Sequence, residues 1–294
     1  MRRIVSGLAC GAILVGLIVS TSSRAEDAAK AERIVAIGGS VTEIIYALGE
    51  QDRLIARDQT SIYPPEATEL PDVGYIRRLS PEGLLSANPD LVIAMEGYGP
   101  PEAKSVILAA GIPIAEIPEG YDGAAIVDKI RATAAALGTP EKGEELAAEV
   151  EADLAAAEAA AKAAGSPTRI LFILALQDGR IMAAGADSHA DGIIRMAGAE
   201  NALSGFSGYK QVTDEAVITA QPDVVLMMDR GGDHSGAEEA LFALPAIQAT
   251  PAGKNRRMIR MNGLYLLGFG PRTADAIRDL NEQLAGIDAP VGSN

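Results

Sequence analysis

Tyrosine and arginine carry most of the chemistry this chain has to offer. Tyr63, Tyr75, Tyr98, Tyr209 and Tyr265 sit with Arg57, Arg77, Arg78, Arg230 and Arg272 in segments that punctuate the apolar runs. In a chain with 4% aromatic residues and no Trp, that concentration points to one task. Aromatic faces stack on flat molecules and guanidinium groups pair with anions, so such loops suit a flat, partly anionic ligand. Covalent and metal chemistry has far less to work with. His189 and His234 are the only histidines and Cys10 the only cysteine, and neither His-x-x-x-His nor a Ser/His/Asp order occurs. A three-His zinc or manganese site is excluded, and both histidines read as polar loop residues exposed to solvent. Gly38-Gly39-Ser40 lacks the Gly-Lys-Ser/Thr that completes a phosphate cradle and reads as a turn with an N-cap. Met227, Met228 and the stretch 264–267 read as core. The chain is expected to bind, not to catalyse.

The elements that must position these loops come in two similar sets. Residues 79–94 match residues 212–227: Ser80 aligns with Thr213, Glu82 with Glu215, and Pro89-Asp90 with Pro222-Asp223. A fainter pair runs from Arg33-Ile34-Val35 and from Arg169-Ile170-Leu171. Each unit reads as a Ser/Thr-capped helix, a Pro-Asp turn and a β-branched run, which is a helix feeding a buried strand. The alternation predicts an α/β protein of two Rossmann-like lobes, each with a central parallel sheet. Between them, Thr139-Pro140-Glu141 opens an Ala/Glu/Lys-rich stretch that ends at Gly165-Ser166-Pro167. This predicts one long helix, roughly 36 Å at ~1.5 Å per residue, tying the lobes as a stiff spine. The expected division is a first lobe over 26–139, an interlobe helix over 140–166 and a second lobe over 167–294. Ligands of open parallel sheets sit beyond the carboxyl ends of the strands, so the Tyr/Arg loops of the two lobes should meet around one cleft.

Composition narrows the class. The chain has 294 residues, 48% of them apolar, and a net charge of -15 with no basic run, which argues against nucleic acid as a partner. Met1-Arg2-Arg3, the apolar run 4–19 and Ser23-Arg24-Ala25 together read as an export signal over residues 1–25, cleaved near Ala25. The run is shorter than the ~20 residues of a membrane span, so membrane contact is expected only through a partner. A lipoprotein signal wants Leu three residues before the cysteine, where Gly7 stands before Cys10. Removing the signal removes the sole cysteine, which excludes disulfides, iron-sulfur clusters and thiol catalysis and fits a periplasmic location.

Three segments narrow the reading further: Val73-Gly74-Tyr75-Ile76-Arg77-Arg78, Met228-Asp229-Arg230-Gly231-Gly232 and Gly268-Phe269-Gly270-Pro271-Arg272. With them the chain resembles the periplasmic haem-binding proteins of bacterial haem ABC importers, within the helix-spined class of substrate-binding proteins that also carries corrinoids and ferric siderophores. The resemblance implies that haem b is the transported ligand and that Tyr75 is its axial iron ligand, the sole metal contact. It implies further that Arg77 bonds the phenolate oxygen and that Arg230 reaches in from the second lobe, with Arg78, Tyr98 and Arg272 around the ligand. It also implies a monomer that docks on a permease dimer with its ATPase through Glu82 and Glu215, one from each lobe. Some relatives carry a His at the first turn of the second lobe that can hold a second haem; this chain has Ala175-Leu176-Gln177-Asp178-Gly179 there. The chemistry agrees. Phenolate is a hard anionic donor suited to ferric iron, coordination must displace a proton whose pKa is about 10, and a neighbouring guanidinium offsets the charge left behind. Tyr-x-Arg in an extended loop would put both side chains on one side. A corrinoid or siderophore carrier is the alternative, and a periplasmic enzyme a distant third.

Overall fold

The computed structural model describes residues 30–164, 168–177, 179–229 and 235–288. The predicted export signal with Cys10 lies outside these residues, as do Arg230 and His234. The first lobe is built on β1 (Ile34–Ile37), β2 (Leu54–Arg57), β5 (Leu91–Met95) and β6 (Ile114–Ile117), with β3 (Gly74–Tyr75) and β4 (Arg78–Leu79) forming a separate hairpin. The four-stranded sheet has the order β2-β1-β5-β6 and is parallel throughout. β1 and β5 are apolar and buried at every position, as strands covered on both faces must be.

The second lobe carries β7 (Arg169–Gln177), β8 (Arg180–Ala184), β9 (Glu200–Asn201), β10 (Tyr209–Gln211), β11 (Val224–Asp229) and β12 (Met258–Asn262). β7, β11 and β12 are parallel neighbours, while β8 and β10 add on antiparallel, so this sheet is mixed where the alternation predicts a wholly parallel one. The reason is local. β8 begins three residues after β7 ends, and so short a connection can only make a hairpin.

The internal repeat reappears as geometry. Asp90 Oδ2 accepts from the backbone N–H of Glu32 and Arg33 at 3.2 and 3.1 Å, and Asp223 Oδ2 accepts from Arg169 N–H at 3.0 Å. Arg33 Nε donates to Asn88 O at 2.8 Å; its counterpart Arg169 Nε donates to Ala220 O at 3.0 Å. Each clasp ties the first strand of its lobe to the Pro-Asp turn that launches the neighbouring strand. Ser80 and Thr213 cap the equivalent helices Pro81–Ser86 and Asp214–Ala220, each accepting at 3.2 Å from the third residue on.

The long helix runs from Pro140 to Ala163. The Thr139 hydroxyl turns back toward Ala134 O instead of capping it, and Pro140 opens the first turn. Its buried residues, Gly143, Ala147, Val150, Leu154, Ala157 and Ala161, recur every three or four positions. That stripe of small and apolar side chains lies against helix Gly123–Leu137 on one side and helix Thr273–Asp288 on the other. One continuous apolar core runs from the first sheet, across the spine, to the second. Among the described residues no helix is long and apolar enough to cross a membrane.

Candidate functional site

The strand-end loops of the two lobes enclose a cleft of about 330 Å³. Its first-lobe wall begins at Asp58, which is fully buried and shapes the loop after β2. One carboxylate oxygen accepts from Gly38 N–H at 2.9 Å and Ser61 Oγ at 2.7 Å; the other accepts from Thr60 N–H at 2.9 Å and Thr60 Oγ1 at 2.7 Å. Thr60 Oγ1 in turn accepts from Gly39 N–H at 3.1 Å. The N-terminus of helix Gly39–Ala47 is thus satisfied by a neighbouring loop; Gly38, within the Gly38-Gly39-Ser40 turn read from sequence, is the N-cap, and Ser40 lies inside the helix. Glycine is required at position 39 because a Cβ there would come within 2.4 Å of Leu264 Cδ1 from the second lobe and 2.6 Å of Thr60 O. The lobes therefore touch at the cleft floor.

Tyr75 and Arg77 both line this cleft. They stand on a tight hairpin in which Tyr75 pairs with Arg78, where the sequence suggests an extended loop. Ile76 is drawn into the core between them and turns both neighbours outward. The hairpin is anchored to both adjacent loops: Gln59 N–H donates to Gly74 O at 2.9 Å, Gly99 N–H to Ile76 O at 2.9 Å, and Leu79 N–H to Gly99 O at 2.9 Å. With 40% of its surface exposed, Tyr75 presents its ring to the cleft. The Arg77 guanidinium donates through Nη1 to Gly97 O and lies 3.9 Å from Glu119 Oε2 through Nη2. It is bonded to these groups and not to Tyr75.

Glu119, in the loop after β6, also lines the cleft and reaches the second lobe: its Oε1 lies 3.0 Å from His189 Nε2. Burial by itself would raise the Glu119 carboxyl, but the hydrogen bond from His189 and the charges of His189, Lys129 and Arg77 bring it below the ordinary range. His189 opens helix His189–Met196 and is not the exposed loop residue its polar neighbours suggest. Its side chain is 17% exposed and packs edge-on against Tyr121 and Phe269, with ring centroids 4.9 and 5.0 Å away.

Beneath lies Lys129, fully buried on helix Gly123–Leu137. Its ammonium donates to Phe269 O at 3.1 Å, Gly268 O at 3.4 Å and Ser40 Oγ at 3.5 Å. Burial pulls its pKa down to about 8 against the opposing pull of Glu119 and Glu43. Nearby, Glu43 holds Arg272 bidentately, at 3.0 Å to Nε and 2.9 Å to Nη2, and the guanidinium lies 3.3 Å from the Tyr63 ring centroid. Three polar contacts, Glu119 with His189, Lys129 with the 268 and 269 carbonyls, and Glu43 with Arg272, thus tie the lobes around the cleft.

The other predicted residues are placed as follows. Arg78 is exposed on the outer strand of the hairpin. Tyr98 is buried in the first-lobe core, its hydroxyl unpartnered among the described residues and its pKa pushed up to about 12 by burial and the Glu116 charge. Arg272 borders an adjoining hollow with Tyr63, Asn262 and Tyr265, which shares Ile62 with the main cleft. Glu82 and Glu215 are exposed in the first turns of equivalent helices. Met228, Leu264 and Leu267, read as core, line the cleft: strand alternation sends Met227 to the second lobe's outer core and Met228 to the ligand side. Sequence reading did not single out Glu119, Glu43 or Lys129. The signal for Lys129 was available, since it falls on the apolar face traced by Ile126, Ile130 and Thr133.

Across the cleft, Tyr75 and Arg77 of the first lobe stand opposite Met228, Leu264 and Leu267 of the second. Residues 34–263 match the periplasmic binding protein family. The chain belongs to this family. Among solved structures it is similar to the periplasmic haem-binding protein BhuT in complex with two haems, at 41% identity and a TM-score of 0.82, over 87% of this chain and 98% of that one. It is similar also to the periplasmic haem-binding protein RhuT from Roseiflexus sp. RS-1, at 43% identity and a TM-score of 0.83, over the same shares. Among curated relatives, the vitamin B12-binding protein of Vibrio parahaemolyticus is 26% identical over 257 residues, 87% of this chain and 90% of that protein. The two-lobed, helix-spined fold is that of the family.

Proposed function

We propose that this family member captures haem in the periplasm and delivers it to an ABC permease. The observation that carries the reading is Tyr75, an open phenol on a cleft wall that Arg77 also lines, across from the apolar side chains of Met228, Leu264 and Leu267. A phenolate donor suits ferric iron, a guanidinium offsets its charge, and an apolar wall suits a porphyrin face. Identities of 41% and 43% to haem-binding proteins, against 26% to a B12-binding one, support haem over a corrinoid. The similar proteins are named as binding proteins, which supports a binding role.

In this reading haem b is cargo, Tyr75 its iron ligand and Arg77 the partner of the phenolate. Arg230, which the family resemblance implicates, lies outside the described residues; Arg78, Tyr98 and Arg272 support the loops around the ligand. The protein is exported with cleavage near Ala25, works as a monomer, and meets a permease dimer with its ATPase through Glu82 and Glu215. Their exposure at equivalent helix starts supports that pairing.

The test is a visible titration of the purified mature protein with hemin. The wild type should develop the charge-transfer absorption of a tyrosinate-ligated ferric haem. Tyr75→Phe keeps the ring, removes the donor oxygen and should lose that band with at least a tenfold fall in affinity. An unchanged spectrum in the variant refutes Tyr75 as ligand, and binding of cobalamin in preference to hemin favours the corrinoid alternative.

A further inference from the structure

We propose that Glu119 is a positioning residue that competes with the Tyr75 phenolate for Arg77, and that His189 of the second lobe governs this competition, so that parting the lobes loosens the ligand. The inference rests on the haem reading of Tyr75 and concerns residues that need not touch haem.

Arg77 shares the cleft with two groups that carry negative charge in the loaded protein: the Glu119 carboxylate, 3.9 Å away, and Tyr75, whose phenol becomes a phenolate when iron displaces its proton. Its Nη1 is held by the Gly97 carbonyl, while its side chain is 48% exposed and its pair with Glu119 is loose, so exchanging that carboxylate for the phenolate costs little. Glu119 is more constrained. Its side chain is 21% exposed, and its second oxygen is occupied by His189 Nε2 at 3.0 Å. The His189 ring is fixed between Tyr121 and Phe269. A neutral imidazole protonated at Nε2 suffices to donate this bond.

The consequence depends on which lobe each residue belongs to. Glu119, Arg77 and Tyr75 are in the first lobe, whereas His189 opens a helix of the second. While the lobes are apposed, His189 satisfies part of the carboxylate and its pull on Arg77 is weakened. When a permease draws the lobes apart, the Glu119–His189 contact breaks. The whole carboxylate charge then acts on Arg77, which turns from the phenolate, and the phenolate loses the cation that offset its charge. The cross-lobe contact therefore makes the strength of a first-lobe ligand site depend on lobe separation.

Substitution at His189 should imitate separation in the isolated protein. Hemin-loaded mature protein is mixed with an excess of a haem-scavenging apoglobin and the rate of haem transfer is followed. His189→Leu, which keeps the packing on Tyr121 and Phe269 but removes the donor, should release haem about tenfold faster. His189→Gln, whose amide can still donate to Glu119, should stay within about twofold of wild type. The deciding variant is Glu119→Gln combined with His189→Leu. With the competing carboxylate neutralised, release should return to within about twofold of wild type, whereas a plain staple between lobes would leave the double variant as fast as His189→Leu. Glu119→Gln alone should release haem no faster than wild type, a result that does not depend on how well the leucine variant folds. A fast double variant, or faster release from Glu119→Gln alone, overturns the inference while leaving the haem reading intact. A wild type without a Tyr75-dependent haem spectrum overturns both.

Discussion

At the residue scale, the position of the Arg77 guanidinium depends on a bare glycine. Gly97 has φ +74°, and a Cβ there would stand 2.5 Å from Arg77 Nη1. Gly97→Ala should cost about 1–3 kcal/mol from the backbone alone. It should also expel Arg77 from its seat, so hemin affinity should fall further than in a variant of equal stability loss placed away from the cleft; calorimetry paired with hemin titration separates the two effects. Lys129 gives a pH signature. Its native pKa, about 8, is below the 10.5 of an unperturbed lysine, so between those values the unfolded chain binds more protons and stability rises with pH. Tyr98 and Tyr209, pushed up to about 12 chiefly by burial, act oppositely above pH 10, where the unfolded chain sheds protons first. Urea midpoints should therefore climb from pH 8 toward 10 and fall beyond; Lys129→Met should flatten the climb, and an unaltered profile would refute the assignment. The residues involved differ in how readable they were. Tyr75 and Arg77 announce themselves by type and spacing in an aromatic-poor chain. Glu119 and His189 acquire their roles only through a contact between lobes, across a separation in sequence that no local pattern encodes.

At the scale of elements, the spine does its work through one narrow face. Leu154 is buried there and packs beside Gly123 at the start of helix Gly123–Leu137. Leu154→Ala should lower stability by about 2–5 kcal/mol, whereas Ala155→Ser on the exposed side should stay within about 0.5 kcal/mol, both read from chemical denaturation. Equal costs would mean that the helix is not docked through this stripe. The spine was legible because proline, glycine and a long Ala/Glu/Lys run mark a helix whatever surrounds it. The lobes were legible through the repeat, and the Asp90 and Asp223 clasps show why: the same aspartate must hold the first strand beside the next one in both halves. The antiparallel arm of the second sheet was missed because β8, with its run Ile181-Met182-Ala183-Ala184, is as apolar as a parallel strand. Direction is set by the length of the connection, not by composition.

At the scale of the whole molecule, a stiff helix, a shared core and three polar contacts around the cleft all oppose large relative motion of the lobes. Solution scattering should accordingly show little change in radius of gyration when hemin binds, and a large fall would contradict the tied-lobe account. In the proposed function, such rigidity leaves the work of opening to the permease, which would have to grip both lobes at once. Glu82 and Glu215 are suited to this because the repeat places them at equivalent points, and a two-fold permease offers two like sites. A competing role exists for each at its own helix N-terminus, where the partial positive charge of the helix end favours a carboxylate. The Glu215 carboxyl already lies below its usual range through hydrogen bonds from its own backbone N–H and the Thr213 hydroxyl. Charge reversal separates the two roles. Glu82→Lys with Glu215→Lys should abolish haem-dependent growth or uptake while hemin binding in solution stays unchanged, because neither residue lines the cleft. If the double variant still transports haem, the glutamates are helix caps alone and the permease grips another pair of surfaces.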